Sequence, residues 1–219
     1  MTVTAVVVPT VGRPSLRLLL AALAGQRRPV TAPVIVVDDR RDGDDLVPDE
    51  LDPTGQLDLW VLRSYGGGPA RARNLGWRHT RTPWVSFLDD DVVPEPDWFD
   101  ALLDDLARAE AEGRLATQAR IVVPPPEGRR PTDDERSTIG LADAWWITAD
   151  MSVQRSALAR IGGFDERFPR AFREDTDLAL RLGAEHGTIA HGRRRTTHPV
   201  RQDDFWASLR RQRGNQDTS

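Results

Sequence analysis

Trp84-Val85-Ser86-Phe87-Leu88 runs directly into Asp89-Asp90-Asp91. Five mostly apolar residues have the length and composition of a strand buried on both faces, the kind found in parallel sheets. Three adjacent carboxylates then stand at its carboxyl end. They repel one another and cost stability unless a cation neutralises them. An Asp-x-Asp spacing lets acids from one turn share a hard divalent ion and leaves positions open for diphosphate oxygens. A solvated acidic turn capping the next helix is the plain alternative.

The flanking segments extend the pattern. Residues 2–8 are a β-branched run read as a buried strand, and 9–14 as a loop. Ser15 is placed to cap a helix reaching residue 25, with Leu16, Leu19, Leu20 and Leu23 on one face. Residues 34–37 form a second buried strand ending at Asp38-Asp39, and 57–63 a third. Gly66-Gly67-Gly68-Pro69 breaks the chain before a helix over 70–80, and 96–112 is an amphipathic helix. The order β-α-β-β-α-β-α implies an α/β fold with a mainly parallel central sheet and helices on both faces. Ligands of such sheets bind at the carboxyl ends of strands, where Pro9-Thr10, Asp38-Asp39 and Asp89-Asp90-Asp91 converge.

The second half is less regular. Strands are expected over 119–123, 144–149 and 188–191, and helices over 154–161, 175–184 and 203–213. Residues 124–140, rich in Pro, Arg and Asp, read as a mobile loop that closes over a ligand. Arg193-Arg194-Arg195 is either a solvated loop or a phosphate contact. No linker separates two domains, and the polar residues 214–219 are either a flexible tail or the cut end of a longer protein.

Composition narrows the chemistry. The 219 residues carry no cysteine, so any metal must be held by oxygen or imidazole. All 30 basic residues are arginine, and the net charge of -4 argues against a general nucleic-acid binder. The apolar stretch 16–24 is too short to span a bilayer and contains Arg17, which predicts a cytoplasmic protein without a transmembrane segment.

Val6-Val7-Val8-Pro9-Thr10, Val36-Val37-Asp38-Asp39, Ala72-Arg73-Asn74-Leu75-Gly76 and Phe87-Leu88-Asp89-Asp90-Asp91 follow one another in order. Ile161-Gly162-Gly163-Phe164-Asp165-Glu166 and Arg173-Glu174-Asp175-Thr176-Asp177-Leu178 come after them. Together they resemble the family 2 glycosyltransferases from about Val3 to Pro199. The resemblance implies a GT-A fold in one domain, 1–219. Its parts are a nucleotide-sugar-binding half (1–115), an acceptor and catalytic half (116–200), and a C-terminal helix and tail (201–219). It implies inverting transfer from a nucleotide-diphosphate sugar to a carbohydrate or other hydroxyl acceptor, with Mn²⁺ or Mg²⁺.

The resemblance also implies roles. Pro9 and Thr10 line the base pocket, Asp39 bonds the base, Asp90 faces the ribose, and Asp91 binds the metal beside Asp89. Arg73 is the charge partner of the diphosphate, and Asn74 either opens onto it or serves helix packing. Asp175 is the catalytic base and Glu174 the runner-up. His198, a late histidine, is a further metal ligand or a structural residue. Asp150 with Trp145 and Trp146 marks the acceptor side, one tryptophan being core and the other site. The chain departs from the family in having Val11-Gly12 where Tyr-Asn is common.

A narrower resemblance rests on Ala149-Asp150-Met151, Arg173-Glu174-Asp175 and Arg213-Gly214-Asn215. It is to the glycosyltransferase half of actinobacterial proteins that also carry a haloacid-dehalogenase-type phosphatase. A sugar nucleotidyltransferase is the nearest rival, but Pro9-Thr10-Val11-Gly12-Arg13-Pro14 fits its Gly-rich phosphate loop poorly. A non-catalytic nucleotide- or carbohydrate-binding module is the other.

Overall fold

A computed structural model describes residues 3–124, 140, 146–168, 173–184 and 189–199. The chain alternates at first: β1 (Thr4–Thr10), α1 (Ser15–Ala24), β2 (Val34–Asp38), α2 (Pro48–Leu51), β3 (Leu59–Arg63), α3 (Pro69–Arg78) and β4 (Trp84–Leu88). It continues through β5 (Val93–Pro94), α4 (Trp98–Ala111), β6 (Ala116–Val122), β7 (Asp150–Gln154), α5 (Arg155–Ile161), α6 (Glu174–Ala184) and β8 (Ile189–Thr197). One eight-stranded sheet runs in the order β3-β2-β1-β4-β7-β6-β8-β5. β1 to β4 are mutually parallel where they pair. β7 is antiparallel to both neighbours, β6 and β8 are parallel, and β5 closes the edge antiparallel to β8.

Strand alternation explains the two layers. Val6 and Val8 face a cluster containing Leu16, Leu19, Leu20 and Leu23 of α1 and Trp98, Phe99, Leu102 and Leu106 of α4. Val7 points the other way, to Ala72 and Trp77 of α3, Phe164, and Leu178 and Leu182 of α6. Side chains of successive strand residues project to opposite faces, so one apolar run serves both cores. α3 lies close to the sheet because Gly76 has no side chain: a Cβ there would stand 2.4 Å from Val7 Cγ1. No helix among the described residues is long and apolar enough to cross a membrane.

Several boundaries differ from expectation. Ser15 is the first residue of α1 rather than its cap, and Pro14 precedes it without a side-chain cap bond. The strand expected over 144–149 lies instead at Asp150–Gln154. Upstream of it, the N–H groups of Trp146 and Ile147 donate to Gln118 Oε1 at 2.7 and 3.0 Å. Trp146 has φ 67°. A side-chain amide thus satisfies N–H groups that a ladder would have used. β8 is a nine-residue strand that absorbs the arginine run, with Gly192, Arg194 and Thr196 inward and Arg193 and Arg195 outward. The expected loop 124–140, apart from its end residues, and the expected helix 203–213 lie outside the described residues.

Candidate active site

The carboxyl ends of β1, β2 and β4 form one floor. Thr10 Oγ1 donates to Asp90 Oδ2 at 2.6 Å and accepts from the Gly12 N–H at 2.9 Å. The Asp39 N–H donates to the Thr10 carbonyl at 2.7 Å, which ties the ends of β1 and β2 together. Pro9, half-buried, lies beside Val37 in the same register. The Asp39 carboxylate accepts from Ser64 Oγ (2.6 Å), the Gly67 N–H (2.8 Å) and the Gly68 N–H (2.9 Å). Asp39 therefore shapes the glycine turn after β3 as well as standing in the floor. Neighbouring Asp38 turns inward onto Arg40, Oδ2 accepting from Arg40 Nη2 at 2.7 Å. Burial raises its carboxyl, and the Arg40 bonds outweigh that and hold it below the usual range.

The three acids after β4 separate in role. Asp90 is buried and takes Arg13 at 2.8 Å beside Thr10. Asp91, 17% exposed, has Arg13 at 3.4 Å and His198 Nε2 at 3.5 Å from Oδ1. His198 arrives because β5, just beyond Asp91, pairs Val93 with Thr197 at the end of β8. Asp89 takes Arg73 Nη2 at 2.7 Å. Arg13 was no candidate from sequence. Three adjacent carboxylates call for a cation, and Arg13 supplies one here. Burial works against the Arg13 charge, but Asp90 outweighs it and holds the guanidinium above its ordinary value.

Arg73 turns inward rather than toward solvent. It is 3% exposed, and its Nη1 donates to Glu174 Oε1 at 3.0 Å while Nη2 holds Asp89. It bridges the acid turn of β4 to the first residue of α6. Burial pushes the Glu174 carboxyl up, against the opposing pull of Arg73. Asp175 is the next residue of the helix, so its side chain leaves on another side. It is half-buried and accepts from the Thr176 N–H at 2.7 Å. Asn74 is a staple: Nδ2 donates to the Phe164 carbonyl and to Glu166, and Oδ1 accepts from Phe164 N–H and Trp77 Nε1. The helix-packing role holds for it.

Asp150 lies in the core and out of reach of solvent. It is 0% exposed, and its carboxylate accepts from Arg194 Nε (2.7 Å), Trp98 Nε1 (2.6 Å) and Thr196 Oγ1 (2.5 Å). Arg194 also reaches Asp105 Oδ2 at 3.2 Å and the Thr117 carbonyl at 2.9 Å. Both ideas for the arginine run, solvated loop and phosphate contact, therefore fail at Arg194. Trp146 is half-buried against the α3 and α6 core, and Trp145 lies outside the described residues.

Among the described residues no three His, Asp or Glu side chains converge as a metal cluster. Asp91 and His198 supply one hard oxygen and one imidazole nitrogen. That pair suits a divalent ion whose other positions are filled by diphosphate and water, rather than an all-protein cage.

Comparisons with known proteins agree with this fold. Pre-mycofactocin glycosyltransferase of Mycobacterium tuberculosis is 32% identical over 197 residues, which is 81% of this chain and 38% of that protein. The chain thus spans about 38% of the length of the curated relative it matches. A mannosyltransferase of Pyrobaculum calidifontis, in complex with GDP-Man and Mn²⁺, superposes with a TM-score of 0.70 at 20% identity, over 96% of this chain and 60% of that one. S. aureus TarS 1-349 in complex with UDP-GlcNAc gives 0.67 at 20% identity, over 95% of this chain and 61% of that one. The fold is that of the GT-A enzymes. Residues 5–174 match the profile for Glycosyl transferase family 2, and the chain belongs to that family.

Proposed function

We propose that the chain transfers a sugar from a nucleotide-diphosphate sugar to a hydroxyl acceptor, with inversion at the anomeric carbon. The observation that carries this reading is the division of acids at one sheet edge. Asp91 stands 3.5 Å from His198 at the end of β4, while Glu174 and Asp175 open α6, and Arg73 ties the two groups together. An inverting displacement needs a leaving-group side and a base side, and this edge offers one acidic segment for each.

In this reading Pro9, Thr10 and Asp39 frame the base, and Asp90 supports the ribose end of the floor. Asp91, with His198 and Asp89 close by, would hold Mn²⁺ or Mg²⁺, which when bound stabilises negative charge on the departing diphosphate. The acceptor hydroxyl oxygen forms its bond to the anomeric carbon as the bond to the diphosphate oxygen breaks. That oxygen takes the electron pair, and Asp175 takes the hydroxyl proton. Glu174 is the weaker base candidate because its carboxylate turns inward to Arg73. Residues 1–115 would serve the donor, 116–200 the acceptor, with Trp146 on the acceptor side.

The ligands named for the structural neighbours, UDP-GlcNAc and GDP-Man, set the donors to try first. Incubation of UDP- and GDP-sugars with Mn²⁺ and a sugar acceptor should release nucleoside diphosphate, and Asp175→Asn should slow that release by about 10²–10⁴-fold with donor binding kept. Release of pyrophosphate would mean nucleotidyl transfer instead. Asp175→Asn turnover equal to wild type would remove Asp175 as the base.

A further inference from the structure

We propose that Tyr65 is the stacking platform for the nucleobase of the donor, an inference that rests on the nucleotide-sugar reading above. The backbone supplies the first reason. Tyr65 has φ 57°, in the left-handed region that a bulky L-residue adopts at a cost. Gly66, Gly67 and Gly68 follow immediately, residues free to take such a conformation without strain. The ring gains little from burial in return, being 68% exposed. Strain that no packing explains is found most often at ligand-contacting positions.

Position supplies the second. Ser64 Oγ, the Gly67 N–H and the Gly68 N–H all donate to the Asp39 carboxylate, and the Ser64 N–H donates to the Asp38 carbonyl. Tyr65 is thus pinned on both sides to the end of β2, beside the carboxylate that frames the base. Arg63 lies over the ring, 5.2 Å from its centroid, and is itself held by Asp45 at 2.7 Å and the Gly43 carbonyl at 3.0 Å. A fixed cation therefore braces the ring and limits its freedom before any ligand arrives.

The sheet order supplies the third. The metal-side acids stand after β4, and the strands run β3-β2-β1-β4. A nucleotide with its diphosphate at β4 extends its base away, across β1 and β2 toward β3. The residues that follow β1, β2 and β3 are 11–14, 39–47 and 64–68, and Tyr65 is the one aromatic among them. It is also the only tyrosine of the chain. The position next to Thr10 is Val11, which has no ring to offer. The donor sugar, attached beyond the diphosphate, lies on the β4 side and out of reach. A flat ring beside a carboxylate acceptor suits a base: its face stacks on the ring and an edge N–H reaches the acid.

Calorimetric titration of UDP, GDP and pyrophosphate with Mn²⁺ tests the assignment in wild type, Tyr65→Ala, Tyr65→Phe and Tyr65→Gly. Loss of a base-stacking aromatic weakens binding by roughly 5- to 150-fold, so Tyr65→Ala and Tyr65→Gly should show that loss for the nucleotide that binds. Tyr65→Phe should stay near wild type. Pyrophosphate, which has no base, should bind all four alike. Tyr65→Gly should match or exceed wild type in melting temperature, which separates lost affinity from lost fold. Equal nucleotide affinity in wild type and Tyr65→Ala would overturn the assignment, as would equal losses in the Phe and Ala variants. A wild type that binds pyrophosphate but neither nucleotide would overturn the nucleotide-sugar reading itself, and this inference with it.

Discussion

Two acid clusters lie near the carboxyl end of β4, where Leu88 pairs with Asp150, and they are built differently. Asp105 and Asp150 are both buried and share Arg194, itself fully buried with Nε 2.7 Å from Asp150, while Arg108 adds a second cation to Asp105 at 2.9 Å. Asp90 and Asp91 follow β4, and their countercharge is Arg13, whose side chain is 43% exposed. The first cluster is closed around Arg194, with backbone N–H groups filling positions on Asp105 and indole and hydroxyl donors those on Asp150. The second is open on the side of Asp91 and His198. On the proposed reading, the second cluster is a site because its neutralising cation sits at the rim, where an incoming ion can take its place.

The largest effect expected from this contrast is on stability. Arg194→Met leaves the buried Asp150 without its cation and Asp105 with Arg108 alone, and breaking a buried pair in this way costs about 3–5 kcal/mol. Urea unfolding of the variant should show that loss. Arg13→Gln should cost less, because its side chain is 43% exposed and Asp90 keeps the bond from Thr10 Oγ1. Comparable losses in the two variants would erase the distinction between the clusters.

A smaller effect separates them by ion binding. Arg13→Gln removes a positive charge from Asp90 and Asp91, so Mn²⁺ titrated alone should bind more tightly, by roughly 30-fold for a unit charge about 4 Å from a divalent ion in water. Arg194→Lys keeps the charge in the closed cluster and should leave Mn²⁺ affinity unchanged. A tighter site in the lysine variant, with none in Arg13→Gln, would reverse the assignment.

Part of this contrast is legible in the amino-acid sequence. The valines of β1 and the leucine spacing of α1 announce themselves because apolar periodicity is local. Asp89-Asp90-Asp91 stands out because strand composition stops abruptly in front of it. Asp150 and Arg194 mislead for a physical reason: each reads as a surface charge, and only their pairing across 44 positions makes either compatible with a core. That pairing also hides the alternation of β8, since its inward residues are Gly, Arg and Thr. Arg73 misleads likewise, its partner Glu174 lying 101 positions away. The bonds from Gly67 and Gly68 to Asp39 come from backbone N–H groups, which leave no trace in residue type.

The smallest effect concerns pH. Burial holds the Glu174 carboxyl above the ordinary glutamate range, despite Arg73. Between that range and its raised value, the folded chain retains a proton that the unfolded chain has released. The stabilising contribution is complete below the ordinary range and is lost as pH rises through the folded value. Melting temperature followed across that window should fall with pH in wild type and run flatter in Glu174→Gln. Parallel curves would mean that Glu174 titrates normally.

The central claim is that the open cluster after β4 holds a divalent ion against a diphosphate, with Asp91 as its principal ligand. Calorimetry of UDP and GDP, each with and without Mn²⁺, on wild type and Asp91→Ala tests it most directly. Mn²⁺ should tighten the binding of one nucleotide to wild type, and that gain should vanish in Asp91→Ala while its melting temperature stays close to wild type. The same Mn²⁺-dependent gain in both proteins would contradict the claim.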